Sequence, residues 1–191
     1  MADEAGEIIE DTDELDPEQE GRRRMALAQI RQYPDSVLRM QSREVEVDDD
    51  LKRLAERMQS LMRDAHGIGL AGTQVGTLRR LFVFQNGDDE DVTVVVNPKL
   101  SDFSDEKATE DEGCLSLQGV LVPVERSVRV TLDGTDLDGN ALHLELEGMP
   151  ARVVQHESDH LDGVLIIDRT DAASRKEALA KLRPQPILVA R

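Results

Sequence analysis

The stretch "QHESDHLDG", residues 155 to 163, decides how the rest of the chain is read. Two histidines stand four residues apart, and a glutamate directly follows the first. Positions i and i+4 share one face of a helix, so a helical segment lets His156 and His160 bind one metal ion. Glu157 is then a neighbour of the ligands, placed to act as general base toward water that the metal activates. Pro150 suits the first turn of such a helix and Gly163 its end. The competing reading is a polar helix end with two solvated histidines.

Two histidines leave a catalytic zinc-type site one protein ligand short. Cys114, the single cysteine of 191 residues, lies in "DEGCLSLQG" (111 to 119). A free cysteine is more often a small buried hydrophobe than a ligand. The remaining histidines are poorer candidates: His143 alternates within a strand pattern, and His66 ends a helical one. One thiolate with two imidazoles and an open fourth position would be a catalytic arrangement and not a structural one.

Around these motifs the hydrophobic periodicity predicts an α+β domain, with antiparallel sheets packed around a central helix carrying the His-Glu-x-x-His motif. "DDDLKRLAERMQSLMRDAHG" (48 to 67) is the clearest helix, with Leu51, Leu54, Met58, Leu61, Met62 and Ala65 at helical spacing. Strands are expected near 80 to 85, 92 to 97, 120 to 124, 127 to 132 and 141 to 147. The acidic turn "NGDDED" joins the first two, and "DGTDLDGN" joins the last two. "YPDS" reads as a turn, and a short helix is expected over 171 to 182. "GIGLAG" (67 to 72) matches a dinucleotide-binding glycine pattern only in letters. Its glycines follow a helix and precede a strand, which is the reverse of what that site needs. Such glycine-rich backbone instead allows another chain to approach it directly.

Charge divides the chain. Lys and Arg number 23 against 40 Asp and Glu, for a net charge of −17. Residues 1 to 20 hold ten of the acids and no base, leaving −7 for the remainder. Residues 1 to 22 are therefore expected to be an acidic, disordered tail, and 23 to 191 a single catalytic domain ending in a helix and a short tail. The arginines at 22 to 24 read as solvated. Without a basic stripe, no nucleic-acid or anionic-membrane binding is expected. The lone cysteine, the acidic start and the lack of a run of about 18 apolar residues point to the cytoplasm.

Three ordered motifs, "GIGLAGTQVG", "DEGCLSLQG" and "QHESDHLDG", resemble those of peptide deformylases. "YPDSVLR" and "VNPKL" extend the likeness from about residue 25 to 172. The resemblance implies a metal-dependent hydrolase that removes the formyl group from the N-terminal formylmethionine of new polypeptides. It implies Cys114, His156 and His160 as ligands of one divalent metal, with Fe(II) favoured and Zn(II) or another transition metal also suited to such a set. It further implies Glu157 as general acid/base, with the Gln74 side chain and the Leu115 N–H stabilising the oxyanion. Ile68 and Gly69 would offer a wall and backbone contacts to the substrate. Met149 and Val153, seven and three residues before His156, either wall a methionine pocket or belong to the core. The implied partners are N-formylmethionyl nascent chains, with transient contact to the ribosome.

The chain departs from the family pattern in places. Gly72 stands where alanine is common, which is expected to loosen the segment before Gln74. Val124 stands where an arginine is common, leaving open whether Arg126 takes over its ion pair. Glu110 is polar where an apolar pocket residue occurs. The rival readings are a His-Glu-x-x-His zinc peptidase, which would use a third His or Glu, and a non-enzymatic binding protein that keeps the fold.

Overall fold

The computed structural model describes residues 16 to 86 and 92 to 182. The acidic segment up to residue 15, most of the expected "NGDDED" turn and the short C-terminal tail lie outside the described residues.

The expected boundary of the acidic tail moves. Residues 16 to 22 belong to no disordered tail, because α1 spans Pro17–Leu27. Proline sits in the first turn, where its missing N–H costs nothing, and Glu18 and Glu20 lie at the positive end of the helix dipole. Arg22 and Arg24 pair with those same acids four residues back. A count of acids up to residue 20 misses this, since the neutralising arginines follow immediately. Ala26 and Leu27 anchor the last turn by burial.

Helix α2 (Asp49–Asp64) starts at Asp48, whose carboxylate accepts from Leu51 N at 2.6 Å. Its apolar face buries Leu51, Ala55, Met58, Leu61 and Met62. The chain then enters β1 (Gly69–Ala71), a short 3₁₀ turn (Gly72–Val75), β2 (Leu81–Gln85) and β3 (Val92–Ser101). The strands β4 (Lys107–Glu112) and β5 (Val122–Ser127) form a separate two-stranded sheet. β6 (Arg129–Thr135) and β7 (Ala141–Glu147) return to the first, giving an antiparallel five-stranded order β1-β2-β3-β6-β7. The helix α3 (Met149–Leu161) carries the His-Glu-x-x-His motif, followed by α4 (Ile166–Arg169) and α5 (Ala172–Lys181).

Strand β2 shows why the layers stack as they do. All four of its leading residues, Leu-Phe-Val-Phe, are buried. Successive side chains of a strand point to opposite faces. Leu81 and Val83 join the core shared with α1 and α2, while Phe82 and Phe84 join the core shared with α3. The sheet is thus covered on both faces, and α3 also touches β5 of the second sheet. That places the motif helix at the centre of the molecule, as an α+β fold of this kind requires.

Two strands were illegible. β1 is only three residues long, and β4 reads Lys-Ala-Thr-Glu-Asp-Glu, with no apolar alternation to betray it. Pairing to β5 makes β4 a strand; its own residues do not.

Candidate metal centre

Helical spacing brings His156 and His160 to one face of α3, with ring centroids 5.0 Å apart. Cys114 reaches the same point from the turn after β4. Its Sγ lies 3.2 Å from His160 Nε2. Donor atoms of Cys114, His156 and His160 all fall within 4.8 Å of one another. Tetrahedral bonds of about 2.3 Å to sulfur and 2.1 Å to nitrogen would separate the two donors by roughly 3.5 Å, so the set fits one divalent ion. Ser116 N and Gln74 Nε2 both aim at the sulfur, at 3.4 and 3.7 Å. Both thus direct N–H groups at the sulfur.

A second layer of side chains orients the first. Glu112 accepts from His156 Nδ1 at 3.0 Å, which leaves Nε2 of that ring for the metal side. Glu112 is itself clamped. Arg126 donates to both of its oxygens at 3.0 Å, and Arg152 Nη1 donates at 2.7 Å. Arg126 continues to Asp159 at 2.5 Å, and Arg152 Nε pairs with Glu110 at 3.1 Å. Burial alone would raise the Glu112 pKa. Hydrogen bonds from His156 and Arg126 outweigh it and hold the carboxyl well below the usual range. Glu112 is therefore ionised and fixes the tautomer of a candidate ligand.

Glu157 lies in a different environment. Burial pushes its pKa up to about 7, with the nearby His156 charge acting against that rise. Its Oε2 is buried and meets no hydrogen-bond partner among the described residues. Gly69 packs directly on this carboxylate: a Cβ there would stand 2.3 Å from Glu157 Oε1. Only glycine lets β1 pass so close.

The free edge of β1 shapes the rest of the site. Among the described residues β1 pairs with β2 alone, and Gln85 N donates to Ile68 O at 2.9 Å. An antiparallel ladder alternates, so the N–H and C=O of Gly69 face away from β2. Ala71 N is capped at 2.8 Å by Gln74 Oε1, which turns the Gln74 amide nitrogen toward Cys114. A cavity of about 590 Å³ opens over Glu157, His156, Cys114, Gln74 and Leu115. Ile68 and Met149 stand on its exposed rim, at 47% and 54% exposure. Val153 lines it from below while also belonging to the core around Phe82 and Phe84. Val153 therefore borders both the cavity and the core.

Three departures acquire physical form. Gly72 does not loosen its segment: a Cβ there would stand 2.7 Å from the carbonyl oxygen of Arg79, so the backbone packs tightly where alanine would clash. Arg126 does hold the ion pair, reaching Glu112 from across the β4–β5 sheet. Glu110 pairs with Arg152 and leaves the apolar side of the cavity to others. Sequence reasoning had missed Glu112, Arg152 and Asp159 altogether. Glu112 lies two residues before Cys114, yet no spacing rule distinguishes it from its acidic neighbours.

Residues 27 to 176 match the family model described as polypeptide deformylase. The chain belongs to the polypeptide deformylase family. The peptide deformylase of Thermodesulfovibrio yellowstonii is 40% identical over 80% of this chain and 94% of its own length. That of Chromohalobacter salexigens is 41% identical over 83% of this chain and 95% of its own. Among solved structures, the peptide deformylase of Synechococcus elongatus, crystallised with actinonin, is 38% identical, with a TM-score of 0.76, covering 80% of this chain and 85% of that one. The Thermotoga maritima enzyme is 42% identical, with a TM-score of 0.71, over 74% and 96% of the two chains. As a member, the chain is a metal-dependent hydrolase that removes the formyl group from the N-terminal formylmethionine of new proteins. The zinc-peptidase and non-enzymatic readings find no support in these likenesses. Among the described residues, no helix of the deformylase is long and apolar enough to cross a membrane.

Proposed function

We propose that Cys114, His156 and His160 hold the single divalent ion of this deformylase and that Glu157 is its general acid/base. The observation that carries the proposal is the convergence of the three donors within 4.8 Å beside a buried carboxylate. A mixed thiolate–imidazole set suits Fe(II) and Zn(II) alike, and the family likeness favours Fe(II). When bound, the ion supplies Lewis-acid polarisation of the formyl carbonyl and acidifies the attacking water.

The chain's own groups do the rest. Glu157 takes the proton of the attacking water at its buried carboxylate. As the carbon–nitrogen bond breaks, Glu157 returns that proton to the departing amine, and formate leaves. Gln74 Nε2 and the Leu115 N–H donate to the oxygen on which charge develops, an interaction whose loss costs about 2.7–4 kcal/mol in comparable sites. Gly69 offers its outward N–H and C=O to the peptide, and Ile68 walls it. Met149 and the cavity side of Val153 give an apolar seat for the methionine side chain.

Formylated nascent chains as substrates, and a thiolate ligand that needs a reducing compartment, support a cytoplasmic location and transient contact with the ribosome. The chemistry proposed here uses no group ahead of α1. Deleting residues 1 to 15 should then leave turnover of a short peptide within about twofold, because a like-charged tail fixes no catalytic side chain. The direct test pairs two measurements. Wild-type protein purified without oxygen should hold about one divalent ion and cleave formylated peptides only. Cys114→Ala should lose most of the metal; unchanged metal content in that variant would remove Cys114 from the ligand set.

A further inference from the structure

The run of three arginines at 22 to 24 is only partly used within α1. Arg22 pairs with Glu18 at 3.4 Å and Arg24 with Glu20 at 3.6 Å. Arg23, between them, is exposed and makes no ion pair among the described residues. Its side chain instead lines the catalytic cavity, together with Leu27 one helical turn later. Arg23 lies four residues before the start of the family match at residue 27.

The path of a bound peptide explains what the arginine meets. A strand added to the free edge of β1 has one way out. Beyond Gly69 in the forward direction, Ala71 N is already capped by Gln74. Antiparallel pairing sends the peptide the other way, from a formyl end at Glu157 and Gly69 back past Gly67. Gly67 and Leu115, which nearly touch, line the cavity beside Leu27 and Arg23. At about 3.3 Å per residue, the second and third residues after the methionine would extend along this path.

Charge gives the arginine its purpose. Beyond its acidic start the chain still carries a net −7, so acidic N-termini approach a protein of like overall charge. Of the acids lining the cavity, Glu112 is clamped by Arg126 and Arg152, Glu157 serves the chemistry, and Asp111 is exposed on β4. We propose that Arg23 is a specificity-determining residue: a cation, without an ion pair among the described residues, that favours formylmethionyl chains with a carboxylate at the second or third residue after the methionine. The proposal rests on the deformylase reading of the cavity and adds a charge preference to it.

The test uses the metal-loaded full chain and C-terminally amidated peptides: formyl-Met-Ala-Ala-Ala, formyl-Met-Ala-Asp-Ala, formyl-Met-Ala-Ala-Asp and formyl-Met-Ala-Lys-Ala. The quantity read is the ratio of kcat/KM for each charged peptide to that of the neutral one. An exposed ion pair of this kind gives the better acidic peptide an advantage of about threefold at low salt. About 0.5 M NaCl should erase it by screening. Arg23→Ala should bring the ratio to about one, and Arg23→Glu should transfer the preference to the lysine peptide. Equal ratios in wild type, Arg23→Ala and Arg23→Glu would overturn the proposal while neutral-peptide turnover upholds the deformylase reading. No turnover of any formylated peptide by the wild type would overturn both.

Discussion

Helices α1 and α3 are both dense in charge, and they use it in opposite ways. On α1 the pairs Arg22–Glu18 and Arg24–Glu20 lie in solvent, with side chains more than half exposed. On α3, Arg152, Glu157, Asp159 and His160 are all buried. The α1 pairs join residues four apart on one helix and position nothing beyond it. Arg152 and Asp159 of α3 instead meet partners on other elements: Glu112 on β4, Arg126 on β5 and Arg169 at the end of α4. The same residue types are thus decoration in one helix and framework in the other, and the dielectric around them makes the difference. Glu112 is where framework meets chemistry, because it holds His156 while both arginines hold it.

Substitutions in the two helices separate these roles, starting with the largest expected effect. Arg126→Met should lower folding stability by about 3 kcal/mol in urea unfolding, since it strands buried carboxylates of Glu112 and Asp159 that keep only one arginine each. A loss below about 1 kcal/mol would mean the buried network is worth no more than a surface pair. Next, Glu112→Gln keeps an oxygen for His156 Nδ1 and removes the charge. Metal affinity should fall roughly 10–100-fold, as expected when a ligand's supporting group is altered. Unchanged affinity would make Glu112 a structural acid only. The smallest effect belongs to Arg22→Ala, which should change stability by no more than about 0.5 kcal/mol. A larger loss would show that α1 is held by its ion pairs and not by the burial of Ala26 and Leu27.

This contrast also marks what could be read in the letters alone. His156, Glu157 and His160 are legible because a helix brings i and i+4 together by local geometry. The strand β2 and helix α2 are legible for the same reason: their apolar spacing is their own. Strand β4 was not, because its residues are polar and only β5 makes it a strand. The Glu112 clamp was not, because it joins residues 14 and 40 positions apart that no local period links. The start of the domain was misplaced because the acids before residue 20 outweighed the arginines just after them. Gly69 stood out in the sequence, but its reason, a backbone passing within contact of Glu157, appears only once β1 lies over α3.

The central claim is that Glu157 moves the proton while three other residues hold the metal, and Glu157→Gln tests it most directly. The amide keeps the size of the side chain and cannot accept a proton from the attacking water. The variant should fold and bind about one divalent ion, like the wild type. Its kcat on a formylmethionyl peptide should fall by at least ~10²–10⁴-fold with KM little changed, because general acid–base transfer contributes that much to the transition state. A metal-loaded Glu157→Gln enzyme working near the wild-type rate would contradict the assignment. A variant that loses its metal would make Glu157 a ligand, and the Cys114–His156–His160 account of the site would fall with it.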